Sequence, residues 1–142
     1  MTPVPPNIMD TVGPALAAIV FVVVMSRIRD PARLTFNSLF VTGASAAYIG
    51  GGLGVWELVF PALLLPVNWL TRTSYRAIAC AWWLHAAWDL VHHLWADPIW
   101  PFMPTSSWGC LVFDSLIGVW FFLCVRSPGE APSSWQSPTD AP

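Results

Sequence analysis

With 142 residues, of which 56% are hydrophobic and only 10% charged, and a mean hydropathy of +0.58, the chain has too few charged groups to coat a globule of its size in water. This excludes an ordinary soluble domain and indicates an integral membrane protein. The net charge of −2 arises without a single lysine, so no basic surface is expected for a nucleic-acid partner, and the informative quantity becomes where the six arginines fall.

Residues 8–26 form the first predicted span. Their core, 15–25, is rich in Ala, Val and Ile, and a crossing needs about 20 residues but can manage with about 17. A cleaved signal peptide is the competing reading. The first ten residues carry no basic group and no small-residue cleavage site precedes the arginines, so a retained span is expected. The short loop SRIRDPAR follows, with Arg27, Arg29 and Arg33 around Asp30 and Pro31, and is expected on the cytoplasmic side.

Residues 34–70 are too long for one span and too short for three. Two short helices joined at the run Gly50, Gly51, Gly52, Leu53, Gly54 fit them best. Small residues there recur four apart, a pattern that lets helices approach closely in lipid and that offers a homo-oligomer face around Gly43, Ala47, Gly50 and Gly54. A phosphate loop is disfavoured by the absence of lysine and of any strand context. The next loop, TRTSYR, brings Arg72 and Arg76. If residues 34–70 crossed once, the two arginine clusters would face opposite sides; if they cross twice, both face the cytoplasm. With residues 75–95 and 107–125 each crossing once, Arg126 lands there too. The expected architecture is therefore all-α: a small polytopic bundle of about five transmembrane helices in the plasma membrane, amino terminus outside and carboxyl terminus cytoplasmic. A re-entrant hairpin over 34–70 satisfies the same parity. Trp56, Trp95, Trp100 and Trp108 near the outer boundary and Trp69 near the inner one read as an interfacial belt.

The span at 75–95, YRAIACAWWLHAAWDLVHHLW, carries all three histidines beside an aspartate. At about 100° per residue, with His85 at zero, Asp89 falls near 40°, His92 near −20° and His93 near 80°. One face holds all four, leaving Ala77, Ala81, Leu84, Trp88 and Leu94 for lipid or a neighbouring helix. After it, ADPIWPFMPTSSWGC is proline-rich, so Pro98, Pro101 and Pro104 forbid a long helix, and Ser106 or Ser107 is the natural N-cap of the last span rather than a nucleophile. Cys80, Cys110 and Cys124 show no paired spacing and read as small apolar packing residues. Residues 1–126 form one helical domain, and the polar, Pro- and Ser-rich stretch 127–142 is expected to be a disordered cytoplasmic tail.

The run WLHAAWDLVHHLWADPIWPFMPTSSWGC, followed by Asp114 and an apolar WFF, resembles the family known as domain of unknown function 6010, over about residues 43–122. The resemblance implies a small multi-pass membrane protein and carries no activity with it.

Depth narrows the site. At 1.5 Å per residue from Trp95, His92 lies about 4 to 5 Å in, Asp89 about 9 Å and His85 about 15 Å; counted from Leu53 and Ser107, Glu57 lies about 6 Å and Asp114 about 10 Å deep. Three helices thus place ionisable groups in one outer layer. A central Asp costs about 2.5 to 3.5 kcal/mol on insertion scales, so these groups should face one another. Three arrangements relieve the cost: protonated acids bonded to histidine, carboxylate with imidazolium, or a shared cation. For a cation, His85, Asp89, His92 and His93 are the candidate ligands, with Asp114 or Glu57 completing the set or acting as general base. Mixed imidazole and carboxylate donors suit zinc, iron or manganese. No HExxH spacing occurs, the eight-histidine set of membrane desaturases is absent, and a single haem held by two histidines of this one helix is disfavoured by geometry, although a dimer could share one. The readings that remain are a metal site for a membrane-embedded hydrolase or oxidoreductase acting on a lipid-like substrate, and a non-enzymatic cluster serving helix packing, proton relay or small-ligand binding.

Overall fold

A computed structural model of the chain describes residues 3–124, so the expected tail and Arg126 lie outside the described residues. Every regular element among them is helical: α1 (Ile8–Arg27), α2 (Ala32–Ala44) continued by a 3₁₀ turn (Ser45–Tyr48), α3 (Trp56–Thr71), α4 (Tyr75–Trp95) and α5 (Ser106–Leu123). Residues 34–70 do divide into two helical legs at the glycine run.

Local chemistry explains the helix starts. Asn7 Oδ1 accepts from the Met9 and Asp10 amides at 2.7 and 3.2 Å, and Asp10 Oδ2 accepts the Asn7 amide at 2.8 Å, a reciprocal cap for α1. Ser74 Oγ accepts the Ala77 amide at 3.3 Å and opens α4. The cap expected at Ser106 or Ser107 moves to Thr105, which makes no side-chain bond. A tight turn in which the Ser106 amide donates to Met103 O at 2.9 Å starts α5 earlier, and Ser106 Oγ is used to accept the Trp100 amide at 3.1 Å.

The helices run alternately up and down, with α4 packed against α5, α3 and α2, and with α1 against α5. Phe21, Phe40, Trp82 and Phe113 meet edge-on and stacked at 5.4 to 6.3 Å, joining four helices. Ala81 belongs to this buried core, not to an outward face, because at about −40° from His85 it still lies on the packed side. Cys80 likewise departs from a packing role and is exposed.

The chain reversals gather two chemically distinct ends. Arg27, Arg29, Arg33, Arg72 and Arg76 all lie where α1 and α3 finish and α2 and α4 begin. There Arg33 holds Asp30 through two contacts of 3.2 Å, Tyr75 donates to Asp30, and the Arg33 guanidinium lies over the Tyr75 and Trp120 rings. At the opposite end the glycine turn meets the start of the α4–α5 loop, where the Asp97 amide donates to Gly51 O at 2.7 Å. Gly50, Gly52 and Gly54 have φ of 94°, 99° and 61°, a region that L side chains rarely enter. The small-residue row is therefore not one continuous helical face: α2 ends at Ala44, and Gly50 and Gly54 belong to a turn. Between α2 and α3, Asn68 Nδ2 donates to Ser38 O and Thr42 Oγ1 at 2.9 and 2.8 Å, and Ser38 Oγ returns a bond to Asn68 O at 3.0 Å.

Among the described residues two helices, α1 and α5, are long and apolar enough to cross a membrane, with mean hydropathies of 2.2 and 1.5; α3 is apolar but shorter. Only 11% of the apolar stretch of α1 is buried.

Candidate functional site

Helix periodicity builds the site. On α4 the buried residues Ile78, Trp82, His85, Asp89 and His92 follow one another at steps of three and four, so a single stripe carries the core and then the polar groups. On α5 the buried stripe runs Ser107, Asp114, Ile117, Phe121. The two helices pack antiparallel. His85 Nδ1 lies 2.6 Å from Asp114 Oδ2 and 3.5 Å from Asp89 Oδ1. The Tyr48 hydroxyl, delivered by the 3₁₀ turn, donates to Asp89 Oδ1. All of these side chains are buried.

The register repeats. Seven residues separate Ser107 from Asp114 on α5 and seven separate His85 from His92 on α4, two turns each. The pairing that sets Asp114 against His85 thus sets Ser107 beside His92, nearer the glycine-turn end. The Tyr48 ring bridges the two levels, bonding Asp89 and lying 3.9 Å, centroid to centroid, from the His92 ring.

The structure brings together three of the expected site residues and disperses the others. His85, Asp89 and Asp114 each offer a donor atom within 4.8 Å of the other two. His92 lies on the same stripe but one level away, walled by Tyr48 and Trp88. His93 points aside, with its ring 5.5 Å from Trp108, as the about 100° between consecutive residues requires. Glu57 stands apart: its carboxylate accepts the Gly50 and Leu53 amides at 2.5 and 2.7 Å. Glu57 lies in the expected layer, but the amides of its own turn hold its carboxylate, and among the described residues no hydrogen bond joins it to the cluster.

Several buried polar atoms have no partner of good hydrogen-bond geometry: His85 Nε2, Asp89 Oδ2, both ring nitrogens of His92 and Ser107 Oγ. Such atoms are rare in folded proteins and their concentration on two adjoining levels of one helix pair marks the region as chemically unsaturated. Two imidazole and carboxylate helices with donors at these separations fit a hard or borderline divalent cation. Tyr48 is a site residue with no part in the sequence expectation, and Ser107 enters it only as a helix cap. Tyr48 carried one signal, a lone phenol in the small-residue run GASAAYIG, where a polar tip needs a partner on another helix.

Gly51 is the glycine on which the His92 position depends most. A Cβ there would lie 2.9 Å from His92 Cε1 and 3.0 Å from the Tyr48 carbonyl oxygen. Gly51→Ala is therefore expected to push His92 and the turn apart and to cost about 1 to 3 kcal/mol, the range for overpacking. Thermal unfolding in detergent checks this, and a variant as stable as the parent would show that the turn yields freely.

The chain belongs to the Family of unknown function (DUF6010), whose model matches residues 9–127 and so runs through all five helices. No curated protein and no solved structure matches it.

Proposed function

We propose that this is a multi-pass membrane protein in which His85, Asp89 and Asp114 hold one divalent cation, zinc, manganese or iron, for hydrolytic or redox work on a lipid-like substrate. The observation that carries the reading is the convergence of three buried donor atoms within 4.8 Å from two helices, with Asp89 Oδ2 and His85 Nε2 still unpartnered. A bound cation would act there as a Lewis acid, polarising an ester oxygen or lowering the pKa of a water. The residues themselves do the holding. Asp89 is fixed by the Tyr48 hydroxyl, an outer hydrogen bond of the kind that orients a ligating carboxylate. Asp114 and His85 share one hydrogen bond, and both would have to give up protons to hold a cation, so binding should weaken as pH falls.

Membrane placement rests on two features. Apolar side chains project outward along the middle of the bundle, with Val20 63% and Leu65 64% exposed, a surface that water does not tolerate but lipid does. All five described arginines gather at one end, which five crossings place on the cytoplasmic side with the amino terminus and the cluster toward the outside. A second reading, a cluster that only joins helices or relays protons, is favoured by the direct pairs His85–Asp114 and Tyr48–Asp89.

Elemental analysis of detergent-purified protein separates the two. About one divalent metal per chain is expected, lost in His85→Ala. Protein that is metal-free after growth in zinc, manganese and iron, with stability unchanged by a chelator, would leave only the joining or relay role.

A further inference from the structure

About 10 Å from the His85–Asp114 pair, along the helix axes toward the glycine-turn end, lies a cavity of about 230 Å³ whose wall includes His92, His93 and Ser107. We infer that this cavity binds a phosphate group, that of a membrane phospholipid.

Three observations converge on an anion. His92 and Ser107 are fully buried, and neither the ring nitrogens nor the hydroxyl has a protein partner of good geometry, the nearest groups being the Asp97 backbone and the Tyr48 hydroxyl; the serine hydroxyl and one nitrogen of the neutral imidazole can donate. The 18-residue helix α5 begins at the same place, where the Ser106 and Gly109 amides are taken by Met103 O and Thr105 O while those of Ser107 and Trp108 gain no backbone acceptor. Free amides and the positive end of the helix dipole favour an oxyanion there. No carboxylate lines the cavity; of the acids near His92, Asp89 is held by Tyr48 and His85, Glu57 by the Gly50 and Leu53 amides, and the Asp97 carboxylate lies against Gly52 of the turn. A metal is the weaker fit. His92 and His93 are consecutive on a helix and diverge by about 100°, which suits two donors on the wall of a pocket better than two ligands on one ion.

The remaining wall names the rest of the ligand. Leu94, Pro98 and Pro104 are apolar, and exposed Trp95 and Trp100 flank the site at the level where indoles sit among headgroups. That this lipid is also the substrate of the cluster rests on the metal-centre reading, whereas the pocket itself stands on its own geometry.

Native mass spectrometry of the full-length protein in detergent tests it, with short-chain phosphatidylglycerol, diacylglycerol of the same chain length, and inorganic phosphate as probes. Wild type should retain phosphatidylglycerol and not diacylglycerol, inorganic phosphate should compete, and Ser107→Ala and His92→Phe should each weaken retention about tenfold or more. Ser107→Ala removes one oxygen, and His92→Phe keeps a ring against Tyr48, so both should fold; their metal content, measured in parallel, should match wild type. Binding of inorganic phosphate without phosphatidylglycerol would overturn the lipid source while upholding a phosphate pocket. Equal retention of diacylglycerol, or unchanged retention in both variants, would overturn the pocket. Lipid binding in protein that proves metal-free would uphold the pocket and remove the metal centre.

Discussion

Replacing His85 and Asp114 together by apolar side chains, His85→Leu with Asp114→Val, is expected to raise the stability of the fold while abolishing its function. The pair is buried between two helices at 2.6 Å. Removing one member strands the other in a low-dielectric interior, and single losses from buried pairs cost about 3 to 5 kcal/mol. Removing both in favour of side chains of similar volume takes away the desolvation penalty with the attraction, and such exchanges are neutral or stabilising by about 1 to 4 kcal/mol. A cluster kept only to join helices would show the same thermodynamics with no loss in the cell. The contrast therefore needs two measurements on the same variants, thermal unfolding in detergent and complementation of a deletion strain. A stable double variant that fails to complement supports a cluster held, at a cost, for a task; full complementation by that variant would remove the metal-centre reading.

The polar stripe of α4 was legible because a period of 3.6 maps His85, Asp89 and His92 onto one face whatever surrounds them. Asp114 could be matched to it only by depth, and the match succeeded because α4 and α5 are joined by a short, proline-bound loop that sets their ends level. The same depth count put Glu57 in the right layer without foreseeing what holds it. Depth says nothing of nearer competitors, and two amides of the glycine turn lie closer to that carboxylate than any histidine. Tyr48 was out of reach for a different reason. It continues the buried row Leu34, Ser38, Val41, Ser45 at steps of three and four, so its inward direction follows the helical period, but nothing in GASAAYIG signals that its hydroxyl meets Asp89 on α4. Ser107 was read as a cap because serine before an apolar run is a strong start signal. A turn closed by Met103 shifts the start to Thr105 and leaves Ser107 inside the first turn, free to face His92.

A preformed seat for a cation shows most directly in ligand-linked stability. Anything that binds only the folded state stabilises it by about 4.1 kcal/mol when present at about a thousand times its dissociation constant. Metal-stripped protein in detergent should therefore unfold at a higher temperature as zinc or manganese is added, return to its starting value with a chelator, and show no shift in the His85→Leu, Asp114→Val variant. An unfolding temperature that stays fixed across zinc, manganese and ferrous iron in the wild-type protein would contradict it.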